Sequence, residues 1–142
     1  MRKVYMNGQI IEETEAKLSI YDSALMFGDM VFEMTRSFNG KQFKLEEHID
    51  RLYTGLKILR IPVDISKSEM LDACHQVTDA NKKYFLDDDE HRLMIDVSRG
   101  ILGIYHNIEG LYKGSNVIIA DFPLRWTVKG MGDLFNRGIN MV

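Results

Sequence analysis

Along this chain the spacing of apolar residues changes between a period of two and a period near 3.6. From Met30 to Phe38 the sequence reads Met-Val-Phe-Glu-Met-Thr-Arg-Ser-Phe. In a strand this alternation puts Met30, Phe32, Met34, Arg36 and Phe38 on one face. Asn39-Gly40 follows, and both residue types tolerate the positive φ that a tight type I′ hairpin needs at its centre. Beyond Phe43 the period changes. Leu45, Ile49, Leu52, Leu56 and Leu59 recur at three- and four-residue steps and form the apolar stripe of a helix. The stretch from Leu18 to Leu59 therefore holds a polar turn, a strand, a two-residue hairpin, a second strand and an amphipathic helix.

The flanking segments extend the pattern. Val4 to Ile11 predicts a first hairpin, turning at Asn7-Gly8. Glu12 to Lys17 is charged and reads as an exposed connection. Gly28 lets the chain bend at Phe27-Gly28-Asp29. Pro62 closes the first helical region. Ser66 with Glu69 three residues on is a capping box, predicting a helix to about Asn81 with Met70, Cys74 and Val77 inward. Arg92 to Ser98 alternates as a half-buried strand, with Leu93, Ile95 and Val97 on its core side. A loop with two glycines runs from Arg99 to Asn107, and Asn116 to Ala120 reads as a buried strand. Leu124 to Gly138 carries three glycines and no strong periodicity, which predicts a linker. Ile139 to Val142 looks like the start of a strand.

Hairpin-linked strands with two clustered helices predict an α+β fold, an antiparallel sheet with both helices on one side. The expected division is residues 1–122 as a small domain, 123–138 as an interdomain linker and 139–142 as the start of a second domain. The 142 residues are 45% hydrophobic and 27% charged, an ordinary globular balance, with a net charge of −3. No basic block marks a nucleic-acid surface. No apolar run reaches membrane-spanning length. Arg2 and Lys3 lack the apolar run of a signal peptide, and the lone Cys74 sits in a helical apolar pattern; both point to a cytoplasmic protein with no disulfide framework. The acidic run Asp87-Asp88-Asp89-Glu90 lacks the spaced ligands and glycine turn of a calcium loop, so it reads as a solvated loop and no metal site is expected.

His48 and Arg51 lie three apart at the edge of the apolar stripe, one turn before Gly55. A cation, an imidazole and a helix position without a side chain could grip an anion. They could equally make ordinary surface contacts, Arg51 with Glu47 or Asp50.

Asp22, Phe27-Gly28-Asp29, Val31-Phe32-Glu33, Arg36, Asn39-Gly40 and His48-Ile49-Asp50-Arg51-Leu52, in that order, resemble the small domain of class IV aminotransferases, the fold-type IV pyridoxal-phosphate enzymes. The resemblance extends over roughly the whole chain. It implies that Arg51 binds the cofactor phosphate, a role its planar guanidinium suits. It places Phe32 and Arg36 on a strand lining the substrate pocket, with Arg99, Tyr105 and His106 as further pocket candidates. It also implies a homodimer acting on an amino acid and a 2-oxo acid. The family's cofactor-binding lysine belongs to its larger domain. Lys57, Lys113 and Lys129 match no part of that motif, so no residue of this chain is given a catalytic role.

The loop reads Ile104-Tyr105-His106. D-amino-acid aminotransferases carry an arginine where Ile104 stands, which argues against that subtype and favours a branched-chain-like or unassigned one; the activity expected is on a branched-chain or other apolar L-amino acid. The alternatives are an aminodeoxychorismate lyase and a stand-alone domain without catalytic activity.

Overall fold

The computed structural model describes residues 1–141. Six strands form one sheet: β1 (Lys3–Met6), β2 (Gln9–Glu12), β3 (Met30–Phe38), β4 (Lys41–Gln42), β5 (His91–Ser98) and β6 (Val117–Pro123). Their spatial order is β2-β1-β6-β5-β3-β4, and every neighbouring pair is antiparallel. Helices α2 (Leu45–Leu59) and α3 (Lys67–Asn81) cover one face. The expected α+β architecture is thus the one observed. Both hairpins turn at Asn-Gly, with φ of 49° and 93° at Asn7-Gly8 and 51° and 71° at Asn39-Gly40.

The core lies between the sheet and the two helices. Leu45, Ile49, Leu52 and Leu56 of α2 are buried, and Met70, Cys74 and Val77 of α3 meet them. Leu93, Ile95 and Val97 form the sheet side. Leu59, expected to end the α2 stripe, is 45% exposed. Ser66 and Glu69 exchange both capping-box bonds at the start of α3.

Gly55 is used for packing. A Cβ there would stand 2.9 Å from Val31 Cγ1, so the missing side chain lets α2 close onto β3. The sequence suggested room for an approaching anion; Val31 fills it.

A short helix α1 (Ser23–Phe27) precedes β3. Asp22, fully buried, accepts from the Ala24 N–H at its start and also from Ser98 Oγ and Asn116 Nδ2, at 2.6–2.8 Å. One carboxylate thus joins α1 to the ends of two strands.

Leu124–Arg137 is a helix, α4, rather than an irregular stretch. Leu124, Val128, Met131 and Phe135 recur at helical spacing, a stripe that Gly130 and Gly132 obscure because each costs a helix interior about 1 kcal/mol. Trp126 seats the first turn, stacking on Phe122 with the Arg2 guanidinium 4.4 Å from its ring centre. Val128, Met131 and Phe135 remain exposed. Ile139–Met141 pair with no strand, and Val142 lies outside the described residues.

Candidate functional site

Strand β3 divides its residues between two environments. The face under α2 carries Glu33, Thr35 and Ser37, all buried. The open face carries Met30, Phe32, Met34, Arg36 and Phe38, the set the alternation grouped together. An acid buried beneath a helix needs partners, since an isolated buried carboxylate is strongly disfavoured.

Glu33 finds them on α2. Arg51 donates from Nε to Oε1 at 2.5 Å and from Nη2 to Oε2 at 2.6 Å. His48 lies 2.8 Å from Oε2 through Nδ1. An ionised carboxylate only accepts, so Nδ1 is the donor in this contact. The Arg51 guanidinium beside Glu33 holds that carboxyl below its ordinary range; burial opposes the shift and His48 adds to it. In return Glu33 raises Arg51 above its ordinary value.

The exposures within this cluster differ sharply. The Glu33 side chain is 5% exposed and Arg51's is 71% exposed. Glu33 takes the Nε–Nη2 edge of the guanidinium, and no described residue engages Nη1. Arg51 is therefore an oriented cation with a free donor edge, the geometry a phosphate group fits. Neither sequence-based partner holds it: Glu47 pairs with Lys44 and Asp50 with Lys67.

A cleft of about 320 Å³ lies beside this cluster, lined by residues that include Met34, Thr35, Arg36, Phe43, His48 and Arg92. Strand β4 pairs only with Ser37 and Phe38, so the edge of β3 beyond them has no neighbouring strand. His48 reaches the cleft from the helix side, Arg36 and Arg92 from the open face. These two arginines are direct cross-strand partners. Like charges so placed repel. Arg36 lies over Phe38 at 4.1 Å and donates to Ser37 O, while Arg92 Nε contacts Met34 Sδ. Among the described residues neither has a carboxylate partner. Arg36 does help to lower the nearby Glu90 carboxyl through its charge, and two guanidiniums across one cleft, neither in an ion pair, suit an anionic group.

The other sequence-based candidates stand apart. Phe32 is 61% exposed on the open face. Arg99 commits four of its five N–H groups: two to Asp29, one to Arg60 O and one to Leu59 O. That arrangement clamps the end of α2. Tyr105 stacks on Tyr21 with ring centres 4.8 Å apart, and His106 is exposed on the same loop. Neither shares the cleft with Arg36. Glu33 and Arg92 escaped the sequence analysis as site residues. Both were marked by strand parity: Glu33 falls on the core side of β3, and Arg92 on the side of β5 away from Leu93.

Residues 30–133 match the family model of class IV aminotransferases, "Amino-transferase class IV". The chain belongs to that family. Over 102 residues it is 40% identical to a putative branched-chain-amino-acid aminotransferase of Methanocaldococcus jannaschii, matching 72% of this chain and 34% of that protein. It is 36% identical to an aminodeoxychorismate lyase of Bacillus subtilis, over 69% of this chain and 32% of the relative. It is 34% identical to a D-alanine aminotransferase of Bacillus licheniformis, over 69% and 33%. The chain thus spans about a third of the length of these relatives. The branched-chain aminotransferase of Thermoproteus uzoniensis, solved with norvaline, superposes with a TM-score of 0.71 at 28% identity, covering 86% of this chain and 40% of that one. The class IV enzymes use pyridoxal phosphate, and a related branched-chain aminotransferase structure carries pyridoxamine 5'-phosphate.

Proposed function

We propose that this chain supplies the cofactor-phosphate grip and part of the substrate cleft of a pyridoxal-phosphate-dependent aminotransferase. The enzyme exchanges an amino group between a branched-chain or other apolar L-amino acid and a 2-oxo acid. The observation that carries this is Arg51, oriented on one edge by buried Glu33 and open on the other. Bound at this site, the cofactor would supply an electron sink for the amino-group exchange. Arg51 binds the phosphate and Glu33 positions Arg51. His48 steadies Glu33 and presents its second nitrogen to the cleft. Arg36 and Arg92 hold a carboxylate of the amino or oxo acid, and Phe32 packs against an apolar side chain.

The enzyme is a cytoplasmic homodimer in this reading, with residues 1–122 as its small domain and residues 123–138 connecting it to a second. The loop with Tyr105 and His106 serves the partner's site; Leu25, Phe27 and Ile104, exposed near it, give that contact an apolar surface. No described helix is long and apolar enough to cross a membrane. Aminodeoxychorismate lyase activity is the second reading, favoured by the Bacillus subtilis relative.

The test is cofactor affinity in the complete enzyme. Arg51→Ala is expected to weaken pyridoxal-phosphate binding by roughly ten- to a hundredfold, and Arg51→Lys by less, because an ammonium keeps the charge but loses the fork. Unchanged affinity in Arg51→Ala, measured by absorbance titration of the apo-enzyme, removes the assignment.

A further inference from the structure

The open face of the sheet carries an acid that the fold leaves without a partner. Asp96 lies on β5 with Arg92 and Met94, on the side away from Leu93, Ile95 and Val97. Its direct neighbours across the sheet are Phe32 on β3 and Ile118 on β6, and Met34 pairs with Met94 in the next row. The side chain is half-buried among these apolar groups, and burial pushes its carboxyl up. Among the described residues no donor and no cation engages it. A carboxylate so placed costs stability unless something pairs with it. The buried acids on the other face are provided for: Glu33 has Arg51 and His48, and Asp121 has His91.

Asp96 also shares its face with the two arginines of the cleft. Arg36 and Arg92 form the row beyond Met34 and Met94, and Arg92 Nε meets Met34 Sδ at 2.7 Å. From the Met34–Met94 row to Asp96 is a step of two strand residues, about 7 Å. The surface between the opposite charges is apolar: Met34, Met94 and Phe32, the last 61% exposed. An anion-binding end, an apolar middle and a cation-binding end, in that order, match an amino acid whose aliphatic side chain ends in a cationic nitrogen. We propose that Asp96 determines specificity for such substrates, receiving the distal ammonium of a diamino acid of the lysine or ornithine type. A stem of three or four methylenes bridges about the distance required and lies over Met34 and Met94 beside Phe32. The ammonium only donates and the ionised carboxylate only accepts, so the contact is charge-assisted. A neutral branched side chain packs on the same surface but leaves Asp96 unpaired. The inference rests on the reading in which Arg36 and Arg92 hold the substrate carboxylate, and it adds a substrate class to the branched-chain one.

The test is steady-state kinetics of the complete enzyme with leucine, norleucine, ornithine and lysine as amino donors. Norleucine is the control, because it keeps the straight aliphatic stem and lacks the cation. At least one of the two diamino acids is expected to match or exceed norleucine in kcat/KM. Asp96→Asn is expected to lower the ratio of that value to norleucine's by about ten- to a hundredfold, through KM. The variant removes a half-buried charge, so its melting temperature is expected to hold or rise and the loss cannot be one of folding. Both diamino acids falling below norleucine in the wild type, or a ratio unchanged in Asp96→Asn, would overturn the assignment. An equal drop for every donor together with a lower melting temperature would overturn it too, since Asp96 would then be paired within the enzyme. Arg36→Ala separates this assignment from the carboxylate reading beneath it. A raised KM for leucine and lysine alike is the expected result; an unchanged KM for leucine, or no turnover of leucine by the wild type, removes the carboxylate site itself.

Discussion

The Glu33–Arg51 pair makes Arg51→Ala a pH-dependent lesion. In the native protein Glu33 is buried and its carboxyl is held below its ordinary value, mainly by Arg51. A group with a depressed native pKa contributes stability above its unfolded value, about 4.3 for glutamate, and that contribution is lost as pH falls through the native value. Arg51→Ala removes two of the three hydrogen bonds to this carboxylate. Burial then dominates and the sign reverses: the native state comes to favour the protonated acid, so stability declines as pH rises above about 4.3. The penalty has a ceiling, because Glu33 can always bind a proton instead of remaining charged. At about 1.36 kcal/mol per pH unit, protonation costs at most about 3.7 kcal/mol at pH 7 and about 1 kcal/mol at pH 5.

Urea denaturation of wild type and Arg51→Ala at both pH values measures this. The variant is expected to lose about 1.5–3 kcal/mol at pH 7 and less at pH 5, because the wild-type contribution of Glu33 is lost at both pH values while the cost of protonating the acid is smaller at pH 5. Adding Glu33→Gln should restore part of the loss at pH 7, since a neutral amide needs no counter-charge. An equal loss at both pH values, or a double variant no more stable than Arg51→Ala, would refute the reasoning. It would also show that Arg51 touches the fold by some route other than this carboxylate.

Burial pushes the Asp96 carboxyl up, and its strand neighbours are Phe32 and Ile118. Its contribution to stability therefore falls as pH rises past about 3.9, and Asp96→Asn should raise the urea midpoint at pH 7, by about 1 kcal/mol, and lose that advantage near pH 3. Cys74 is fully buried with its thiol pushed up to about 12, so a thiol reagent at neutral pH should label it only in denaturant. Gly55→Ala should lower the melting temperature, because the contact with Val31 outweighs a helix-propensity gain of about 1 kcal/mol; a more stable variant would show that Val31 moves aside.

What the sequence disclosed depended on whether a signal was local. The Asn-Gly turns, the Ser66–Glu69 box and the α2 stripe are set by neighbours within one turn, and each appears where the pattern put it, except that the stripe ends at Leu56 and leaves Leu59 exposed. Arg51 was recognisable by its motif, but its partner Glu33 lies eighteen residues earlier on another element. Only pairing α2 with the core face of β3 connects them. Arg92 needed the β3–β5 register, which no single strand contains. Helix α4 was lost for a different reason. Its apolar stripe buries no residue, so two glycines weighed more in its sequence than the periodicity did.

The length of β4 decides how the site is assembled. Strand alternation sends Glu33 and Arg36 to opposite faces of β3, and a full neighbouring strand would keep those faces apart. Because β4 pairs with only two residues, the edge of β3 stays free for the cleft, and Phe43 folds back to donate to Arg36 O. His48 and the two arginines then line one space. Lengthening β4 by pairing across that edge would fill the cleft while leaving the Glu33–Arg51 fork in place. The expected result in the complete enzyme is retained cofactor affinity with a raised KM. Loss of both together would mean that phosphate grip and substrate cleft are one unit, and that the fork depends on the open edge.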